Sequence, residues 1–381
     1  MAKPKIRFKG YTDDWEQRKL SDVVDSVDTG KSKFDKEGSS GEYPILGSTS
    51  VIGYDDEYDY EGDFILTARV GANAGSLYRH AGKVKISDNT VFIQASQNIE
   101  FLYQLLTRFD IKKLSFGTGQ PLVKASELKS LELMMPTNMK EQMRIGAYFN
   151  QLDHLITLHQ RKCEETKKLK KYMLQKMFPQ NGQTVPEIRF AGFTDAWEQR
   201  KFPEFVSFFN GLTYTPDDVQ EMGTLVLRSS NVKNGEIIDA DNVYVNDKVA
   251  TSENVQVGDI IVVVRNGSRA LIGKHAQIKA SMPNTVIGAF MNGIRSEHSS
   301  FVNALLDTSA FENEIAKNMG ATINQITGYM FSKMEFMVPS EEEQQQIGQF
   351  FSNLDHLITL HQHKCEQLQS MKKFMLQNMF V

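Results

Sequence analysis

Internal repetition constrains this chain more than any other feature. Two different runs of residues each occur twice, and together they span most of the sequence. The run from Ile145 to His159, IGAYFNQLDHLITLH, returns from Ile347 to His361 as IGQFFSNLDHLITLH, 202 residues further on. A second run, from Ile6 to Lys19, returns from Ile188 to Lys201, 182 residues further on. Repeats of this kind indicate two related modules, here in the order globular, helical, globular, helical.

The repeated run at Ile145 has the pattern of a long amphipathic helix. Each copy follows a proline, Pro136 or Pro339, and continues for roughly 35 residues, or about 50 Å at 1.5 Å per residue. Steps of four and three place its apolar or small residues on one stripe: Ile145, Phe149, Leu152, Ile156, His159, Cys163 and Thr166. We therefore expect two long helices that pack on each other as an antiparallel coiled coil. The alternative is that each helix lies on a separate core.

The composition limits the class of protein. The chain has 381 residues and a hydrophobic content of 40%, which suggests two or three domains with substantial cores. Its net charge of −4 gives no global signature of nucleic-acid binding, so any DNA contact must come from local patches. Cysteine occurs only at Cys163 and Cys365, and no signal region or membrane-length apolar run is visible. We therefore expect a cytoplasmic protein without a disulfide framework.

The segments between the repeats have the character of mixed, strand-rich domains. Short β-branched runs punctuated by glycine, such as Phe64–Val70 and Thr90–Ile93, predict strands, and Asn98–Phe109 predicts a short helix. A fainter match of Asp88–Val91 with Pro283–Val286 indicates a similar order in the second half. The predicted fold class is α/β (α+β) with a pseudo-two-fold repeat. Its expected parts are a globular domain over 1–140, a long helix over 141–180, a second globular domain over 181–340 and a second long helix over 341–381.

Taken together, these features resemble the specificity subunit of type I restriction–modification enzymes. The resemblance rests on the Trp-Glu-Gln-Arg-Lys runs at Trp15 and Trp197, on the strands that lead into Arg69 and Arg265, and on the two Leu-Asp-His-Leu-Ile-Thr-Leu helices. It implies a non-catalytic subunit whose two target-recognition domains each read one half of a bipartite double-stranded DNA site, with the helix pair as spacer. It also implies partners, namely two methyltransferase subunits that use S-adenosylmethionine and restriction subunits that use ATP and Mg²⁺. No cofactor is expected in this chain.

Catalytic motifs are incomplete. Gly30-Lys31-Ser32 lacks the earlier glycine of a phosphate-binding loop, since Asp25 stands in its place, and neither Asn-Pro-Pro-Tyr nor Asp-Pro-Pro-Tyr occurs. Two interpretations from other classes stay open. One is a scaffold that holds partners together without reading DNA, and the other is a self-sufficient nuclease or methyltransferase.

Two further patterns on the long helices each allow two interpretations. His159 with Cys163, and His361 with Cys365, are spaced to share a helix face, and two such pairs could bind zinc. The alternative, which we favour, is that the cysteines fill the apolar seam and that no metal binds. The basic run 167–171 predicts a solvated helix face, with a contact to phosphate or to a partner as the alternative. Its second copy carries less charge, which argues against an essential role.

Side chains that read DNA must reach base edges, while lysine and arginine on phosphates fix the register. Glycine-flanked loops suit this task, because they allow close approach and expose their neighbours. Arg69 suits guanine and Asn73 or Gln120 suits adenine, and Arg69 and Arg265 fall at matched positions. Each candidate could also be an ordinary turn residue. The candidates are Lys31, Ser48, Thr49, Arg69, Asn73, Thr118, Gln120 and Lys124 in the first domain, and Arg228, Ser230, Asn231, Arg265, Asn266, Arg269, Asn324 and Gln325 in the second.

Apolar residues beyond the helical seam predict a surface for partner subunits. They are Tyr148, Leu155 and Leu158, with Phe350, Leu357 and Leu360 in the second copy. If the helices act as a spacer, their length should set the unspecified gap between the two half-sites, which would lie about one helical turn of DNA apart.

Overall fold

The computed structural model describes residues 3–33, 40–114, 121–180, 182–319 and 324–381. They form two compact units. Unit 1 consists of Met1–Arg161 and Gln362–Val381, and unit 2 consists of Lys162–His361. The boundaries between the units fall inside the two long helices, so each unit includes a segment of both.

Unit 1 is organised around a six-stranded sheet. The strands of the whole unit, in chain order, are β1 (Glu16–Lys19), β2 (Ser26–Thr29), β3 (Tyr43–Leu46), β4 (Val51–Asp55), β5 (Tyr60–Ala68), β6 (Leu77–Ile86), β7 (Thr90–Gln94) and β8 (Glu132–Met135). The sheet has the order β2-β7-β5-β6-β3-β4, and only the β3–β6 pair is parallel. Strands β1 and β8 form a separate antiparallel ribbon. Strand β5 lies at the centre and carries five consecutive buried residues, as the apolar run in its sequence predicts.

Helices cover this sheet and complete the core of unit 1. They are α1 (Ile99–Phe109), α2 (Ala125–Lys129) and α3 (Met139–Met177), with short 3-10 turns at Leu20–Asp22 and Ile111–Leu114. Phe380, from the C-terminal segment of the unit, lies 6.1 Å from the Trp15 ring and 5.8 Å from the rings of both Phe101 and Phe149. The last residues of the chain therefore close this core.

Unit 2 divides its strands among smaller sheets. The strands are β9 (Glu198–Lys201), β10 (Ser207–Asn210), β11 (Val219–Gln220), β12 (Thr224–Leu227), β13 (Val232–Lys233), β14 (Glu236–Ile237), β15 (Val243–Val245), β16 (Ile260–Val263), β17 (His275–Gln277), β18 (Thr285–Ile287), β19 (Met291–Arg295) and β20 (Glu335–Val338). Two sheets of four strands have the orders β10-β19-β16-β17 and β11-β15-β12-β18, while β13 pairs with β14 and β9 with β20.

The helices of unit 2 follow an order similar to that in unit 1, with one additional helix among the described residues. They are α4 (Ser299–Leu306), α5 (Ser309–Asn318), α6 (Gly328–Phe331) and α7 (Glu341–Asn378), with 3-10 turns at Phe202–Glu204, Pro216–Asp218, Ser229–Asn231 and Arg269–Leu271. Phe178 lies 5.8 Å from the Trp197 ring, 5.7 Å from Phe301 and 5.9 Å from Phe351. In the described part of the chain, no helix combines the length and the apolar character needed to cross a lipid bilayer.

The antiparallel packing predicted for the long helices is confirmed within each unit. In unit 1 the Lys372 ammonium lies 2.6 Å from a carboxylate oxygen of Asp153. In unit 2 the Lys170 ammonium lies 2.5 Å from Asp355. Lys170 and Lys372 are equivalent in the repeat, as are the two aspartates. The prediction of a solvated basic face is therefore wrong for Lys170, and the reduced charge of the second copy is uninformative because Lys372 is retained.

The repeated N-terminal run holds the start of each long helix. Arg7 donates two hydrogen bonds to the carboxylate of Glu141, at 2.6 and 2.8 Å, and Arg189 donates two to Glu343, both at 2.7 Å. Both glutamate side chains are fully buried. The side-chain hydrogen bonds to these carboxylates raise the pKa of each arginine. Each pair is thus a buried, bidentate link between residues more than 130 positions apart.

Candidate nucleic-acid interface

The loops that carry several unit 1 candidates meet at Asn89, the residue before β7. The Asn89 carbonyl oxygen accepts hydrogen bonds from the Ser48 hydroxyl at 3.1 Å and from the Arg69 backbone amide at 3.0 Å. Ser48 lies just after β3 and Arg69 directly follows β5, so one carbonyl ties the ends of two strands together. Arg69 and Asn89 are both exposed.

Thr49 lies exposed at the tip of the turn between β3 and β4. The Gly47 amide donates to the Ser50 carbonyl at 2.9 Å and closes this turn. The Tyr78 hydroxyl donates to the Gly47 carbonyl, and burial raises the pKa of Tyr78, so this hydroxyl retains its proton and remains a donor. Thr49 is therefore presented by an anchored turn.

Lys31 is exposed on a neighbouring turn. The amide of Gly30 donates to the Thr90 carbonyl at 2.9 Å, which draws the chain against the start of β7. A Cβ atom at Gly30 would lie 2.3 Å from the Ile86 carbonyl oxygen, so only glycine fits. This close approach places Lys31 on the same edge of the sheet as Asn89.

The loop before α2 joins the same edge through the backbone of Arg69. The amide of Val123 donates to the Arg69 carbonyl at 2.8 Å, and the amide of Gly71 donates to the Pro121 carbonyl at 3.1 Å. Lys124 is exposed immediately beyond this pairing. The structure therefore brings Lys31, Ser48, Thr49, Arg69 and Lys124 to one edge of the sheet.

Asn73 is exposed in the turn that follows this pairing, where its carbonyl accepts from the Ser76 amide at 2.9 Å. Thr118 and Gln120 lie outside the described residues. Their predicted role stays a prediction.

Three loops of unit 2 converge in a comparable way. The Asn266 side chain donates to the Ser229 hydroxyl at 3.2 Å, and the Asn324 side chain donates to the Gly267 carbonyl at 3.1 Å. Gln325 forms an isolated antiparallel bridge with Arg265. The loops after β12, after β16 and before α6 are thereby joined.

The 3-10 turn after β12 requires a correction for one candidate. Asn231 has no exposed surface, so in this conformation it cannot contact a base. Its side-chain oxygen accepts from the Arg228 amide at 2.9 Å, and its side-chain nitrogen donates to the Ala240 carbonyl at 2.7 Å. Arg228 is partly committed as well, through a 2.6 Å ion pair with Asp241. Ser230 lies exposed between them and remains a candidate, as does exposed Arg269.

Arg69 and Arg265 are not at matched positions, contrary to the interpretation from their spacing. The Arg69 carbonyl accepts from Val123, but the corresponding bond in unit 2, from Ile326 at 2.8 Å, goes to the carbonyl of Val264. The two arginines are therefore one residue out of register. Both are exposed, and both follow the central strand of a sheet.

Sequence reasoning missed Asn89 and Phe290. Strand β7 lies between β2 and β5, and β19 lies between β10 and β16, so Phe290 corresponds to Asn89 as the residue before the strand.

The faint match of Asp88–Val91 with Pro283–Val286 is thus wrong, because the second segment leads into β18. Its Asn284 side chain is hydrogen-bonded to Thr224 and Asp247. The one available signal for Phe290 was a bulky aromatic residue between a glycine-alanine pair and a strand.

The predicted partner surface is only partly available. Phe8 covers Tyr148, with ring centroids 6.0 Å apart, and Phe190 covers Phe350 at 6.1 Å. These two predicted contact residues are half-buried against their own units, because the N-terminal run of each module packs on them. The most exposed members of the set are Leu155, Leu357 and Leu360, and Leu158 is half-buried.

The cysteines show the packing expected of seam residues. Cys163 is buried and its Sγ lies 3.9 Å from the Ile358 carbonyl oxygen within unit 2, while Cys365 packs partly buried against the core of unit 1. Among the residues that the structure describes, no three or more His, Cys, Asp or Glu side chains are grouped as metal ligands.

Comparison with known proteins defines the class. The family model described as the type I restriction modification DNA specificity domain matches residues 12–168 and again residues 194–370. The chain belongs to this family and carries two such domains, one in each half of the sequence.

The relatives agree with this assignment. The chain is 23% identical over 394 residues to the type I restriction enzyme MjaVIII specificity subunit of Methanocaldococcus jannaschii, covering 95% of this chain and 91% of the relative. It is 27% identical over 169 residues to the EcoKI specificity subunit of Escherichia coli, covering 43% of this chain and 35% of that protein. The crystal structure of the type I restriction–modification S subunit from M. genitalium has the same fold, with a TM-score of 0.75, 16% identity and coverage of 100% and 99% of the two chains.

Proposed function

We propose that this specificity subunit reads a bipartite DNA target, with each unit contacting one half-site. The observation that carries the proposal is that, within each unit taken separately, several loops converge and are joined by backbone and side-chain hydrogen bonds. The exposed side chains at the edge of unit 1 include Lys31, Arg69, Asn89 and Lys124, and those of unit 2 include Ser230 and Arg265. Such side chains combine phosphate positioning with base contacts.

We further propose that the subunit is non-catalytic and acts in the cytoplasm with other subunits. Two methyltransferase subunits would supply S-adenosylmethionine chemistry, and restriction subunits would use ATP and Mg²⁺. Exposed Leu155, Leu357 and Leu360 on the long helices support such contacts, because large apolar side chains at these positions lack cover within their own units.

Selection from a random duplex pool tests DNA reading. The purified chain, together with its methyltransferase partner, is expected to enrich a motif of two specified blocks separated by a gap of fixed length. Enrichment of no split motif would favour the alternative of a scaffold that holds partners together without reading sequence.

The absence of catalysis has its own test. The lone chain, incubated with DNA, Mg²⁺ and S-adenosylmethionine, is expected to leave the DNA unmethylated and uncut. Methylation or cleavage without partner subunits would contradict the proposal.

The spacer role is tested through helix length. Insertion of seven residues after Arg161 and again after His361 lengthens each helix by about 10 Å, which corresponds to roughly three base pairs. We expect the gap in the selected motif to change while both half-site sequences are preserved. An unchanged gap would exclude the helices as the spacer.

A further inference from the structure

Phe290 is an unusual residue for the position it occupies. More than half of the residue's surface, 54%, is exposed, although its backbone is firmly held. The Phe290 carbonyl accepts hydrogen bonds from the amides of Val264 at 2.9 Å and Arg265 at 3.2 Å. An exposed phenylalanine on a fixed backbone contributes little to the core, so its ring is available for a contact with another molecule.

The surroundings of Phe290 define what that contact can be. The guanidinium carbon of Arg265 lies 5.1 Å from the ring centroid and covers one face of the ring. The ring also borders a cavity of about 680 Å³ that is lined in part by Tyr214 and by the candidate residues Arg228 and Ser230. With one face covered, the ring cannot be sandwiched between two bases. An apolar edge remains, beside a cation and hydroxyl groups suited to a nucleic acid.

The equivalent position in unit 1 has a different chemistry. Asn89 also precedes the strand next to the central one, and its carbonyl also accepts from the residue after that central strand. Its exposed side chain carries an amide, which can donate and accept at one base edge. The same backbone position thus presents an apolar ring in one unit and an amide in the other.

We propose that this position determines specificity in both units: Phe290 contacts the 5-methyl group of a thymine, and Asn89 pairs with the edge of an adenine. Apolar contact with the thymine methyl and bidentate pairing of asparagine with adenine are recurring forms of major-groove recognition. The inference rests on the proposed function, because it requires that each unit read its own half-site.

Base analogues in the selected target test this inference with the full chain and its methyltransferase partner. Replacement of one specified thymine by uracil, which lacks the methyl group, is expected to weaken binding by the wild-type chain about fourfold, the effect of one buried methyl group. Phe290→Ala should weaken binding to the thymine target by a similar factor and should be insensitive to the uracil substitution. Asn89→Ala should behave in the same way toward 7-deazaadenine in the other half-site.

Two controls keep the result interpretable. Tyr172, which is 50% exposed on α3 in the same unit as Phe290, provides the matched variant Tyr172→Ala, which should leave the response to uracil intact. Phe290→Leu retains an apolar side chain and should keep most of the preference for thymine, which separates loss of contact from loss of folding.

The outcomes distinguish the inference from the function on which it rests. A wild-type chain that selects no split motif refutes the proposed function. If the wild-type chain selects a split motif, and the Phe290→Ala and Asn89→Ala variants keep its preferences for thymine and adenine, only the inference is refuted. Effects of both variants on the same half-site also refute it.

Discussion

At the scale of single residues, buried polar side chains fix the loops of the candidate interface. Asn231 is the clearest case, because its amide bridges the Arg228 backbone and the Ala240 carbonyl with no exposed surface of its own. Such a residue affects DNA binding through the shape of the loop. Its exposed neighbour Ser230 is free of that constraint.

Substitution of Asn231 should therefore reduce stability. Asn231→Ala leaves two backbone groups without their partner, and we expect the free energy of unfolding of unit 2 to fall by about 2 kcal/mol. Trp197 reports on this unit, because the only other tryptophan, Trp15, lies in unit 1 and can be replaced by phenylalanine. Urea unfolding followed by Trp197 fluorescence measures the loss. Ser230→Ala should change the free energy of unfolding by less than about 0.5 kcal/mol. Equal losses of stability in the Asn231→Ala and Ser230→Ala variants would contradict this account.

The buried arginine–glutamate pairs also belong to the residue scale. Arg7→Gln leaves the Glu141 carboxylate buried without its cation, so we expect unit 1 to lose about 3–5 kcal/mol of stability. With Trp197 replaced by phenylalanine, Trp15 fluorescence during urea unfolding measures this loss.

The repeat supplies the control for this experiment. Arg189→Gln should destabilise unit 2, as measured by Trp197 fluorescence, and should leave the stability of unit 1, as measured by Trp15 fluorescence, unchanged. The double variant Arg7→Met, Glu141→Met should recover much of the stability, because it removes the unpaired charge. Failure of the double variant to recover would show that packing of the arginine stem, rather than charge, dominates.

At the scale of elements, the long helices use the same lysine–aspartate contact twice, with one difference. Lys170 contacts both Asp355 and Asp307, while Lys372 contacts only Asp153, among described residues. Burial opposes the charge of Lys170, but the two carboxylates outweigh it and raise its pKa. Asp153 has further support from the Gln104 amide at 3.0 Å.

We therefore expect Lys170→Met to be more damaging than Lys372→Met. The first change leaves two neighbouring carboxylates without the lysine that contacts both, at a cost of about 3 kcal/mol to unit 2. Burial already raises the pKa of Asp355, and loss of the lysine removes a force that lowers it. The folded state then binds protons more readily than the unfolded chain, so the loss should shrink as the pH falls from 7 toward 5. Urea unfolding at the two pH values measures this, and a larger loss at pH 5 would contradict it.

The elements also show what the sequence can predict. Helical periodicity is local, so the long helices and strands such as β5 follow from the order of residues along the chain. The burial of Tyr148 could not be predicted in this way, because the ring that packs on it belongs to Phe8, 140 residues earlier in the sequence. The one-residue offset between Arg69 and Arg265 is likewise fixed by hydrogen bonds to distant loops. Sequence similarity in the repeats indicated which elements the two units share. The recognition loops differ in sequence, so the sequence alone does not show which loop residue of one unit is equivalent to which residue of the other.

At the scale of the whole molecule, the duplication gives the end of each long helix the same packing residues. Leu174 and Met177 of α3, together with Phe178 directly after it, correspond to Leu376, Met379 and Phe380 near the C-terminal end of the chain. The rings around Phe178 are counterparts of those around Phe380. A fragment of residues 1–180 thus contains one unit 1 core and one copy of the segment that completes it.

We expect that fragment to dimerise, with each copy supplying its Phe178 side chain to the core of the other. Sedimentation equilibrium at micromolar concentration should give twice the fragment mass. Phe178→Ala in the fragment should weaken the dimer, because a buried aromatic side chain contributes about 3–5 kcal/mol. A stable monomer of the unmodified fragment would contradict the prediction.

The discontinuity of unit 1 has a consequence for synthesis on the ribosome. Residues 162–361 emerge as one uninterrupted stretch and can assemble their core as they appear. Residues 1–161 emerge earlier, but their core is completed only by residues 362–381. Trp15 and Phe101 therefore lack their contact with Phe380 while the intervening 200 codons are translated. Unit 1 therefore begins to emerge before unit 2 but can complete its core only after all of unit 2 has been synthesised.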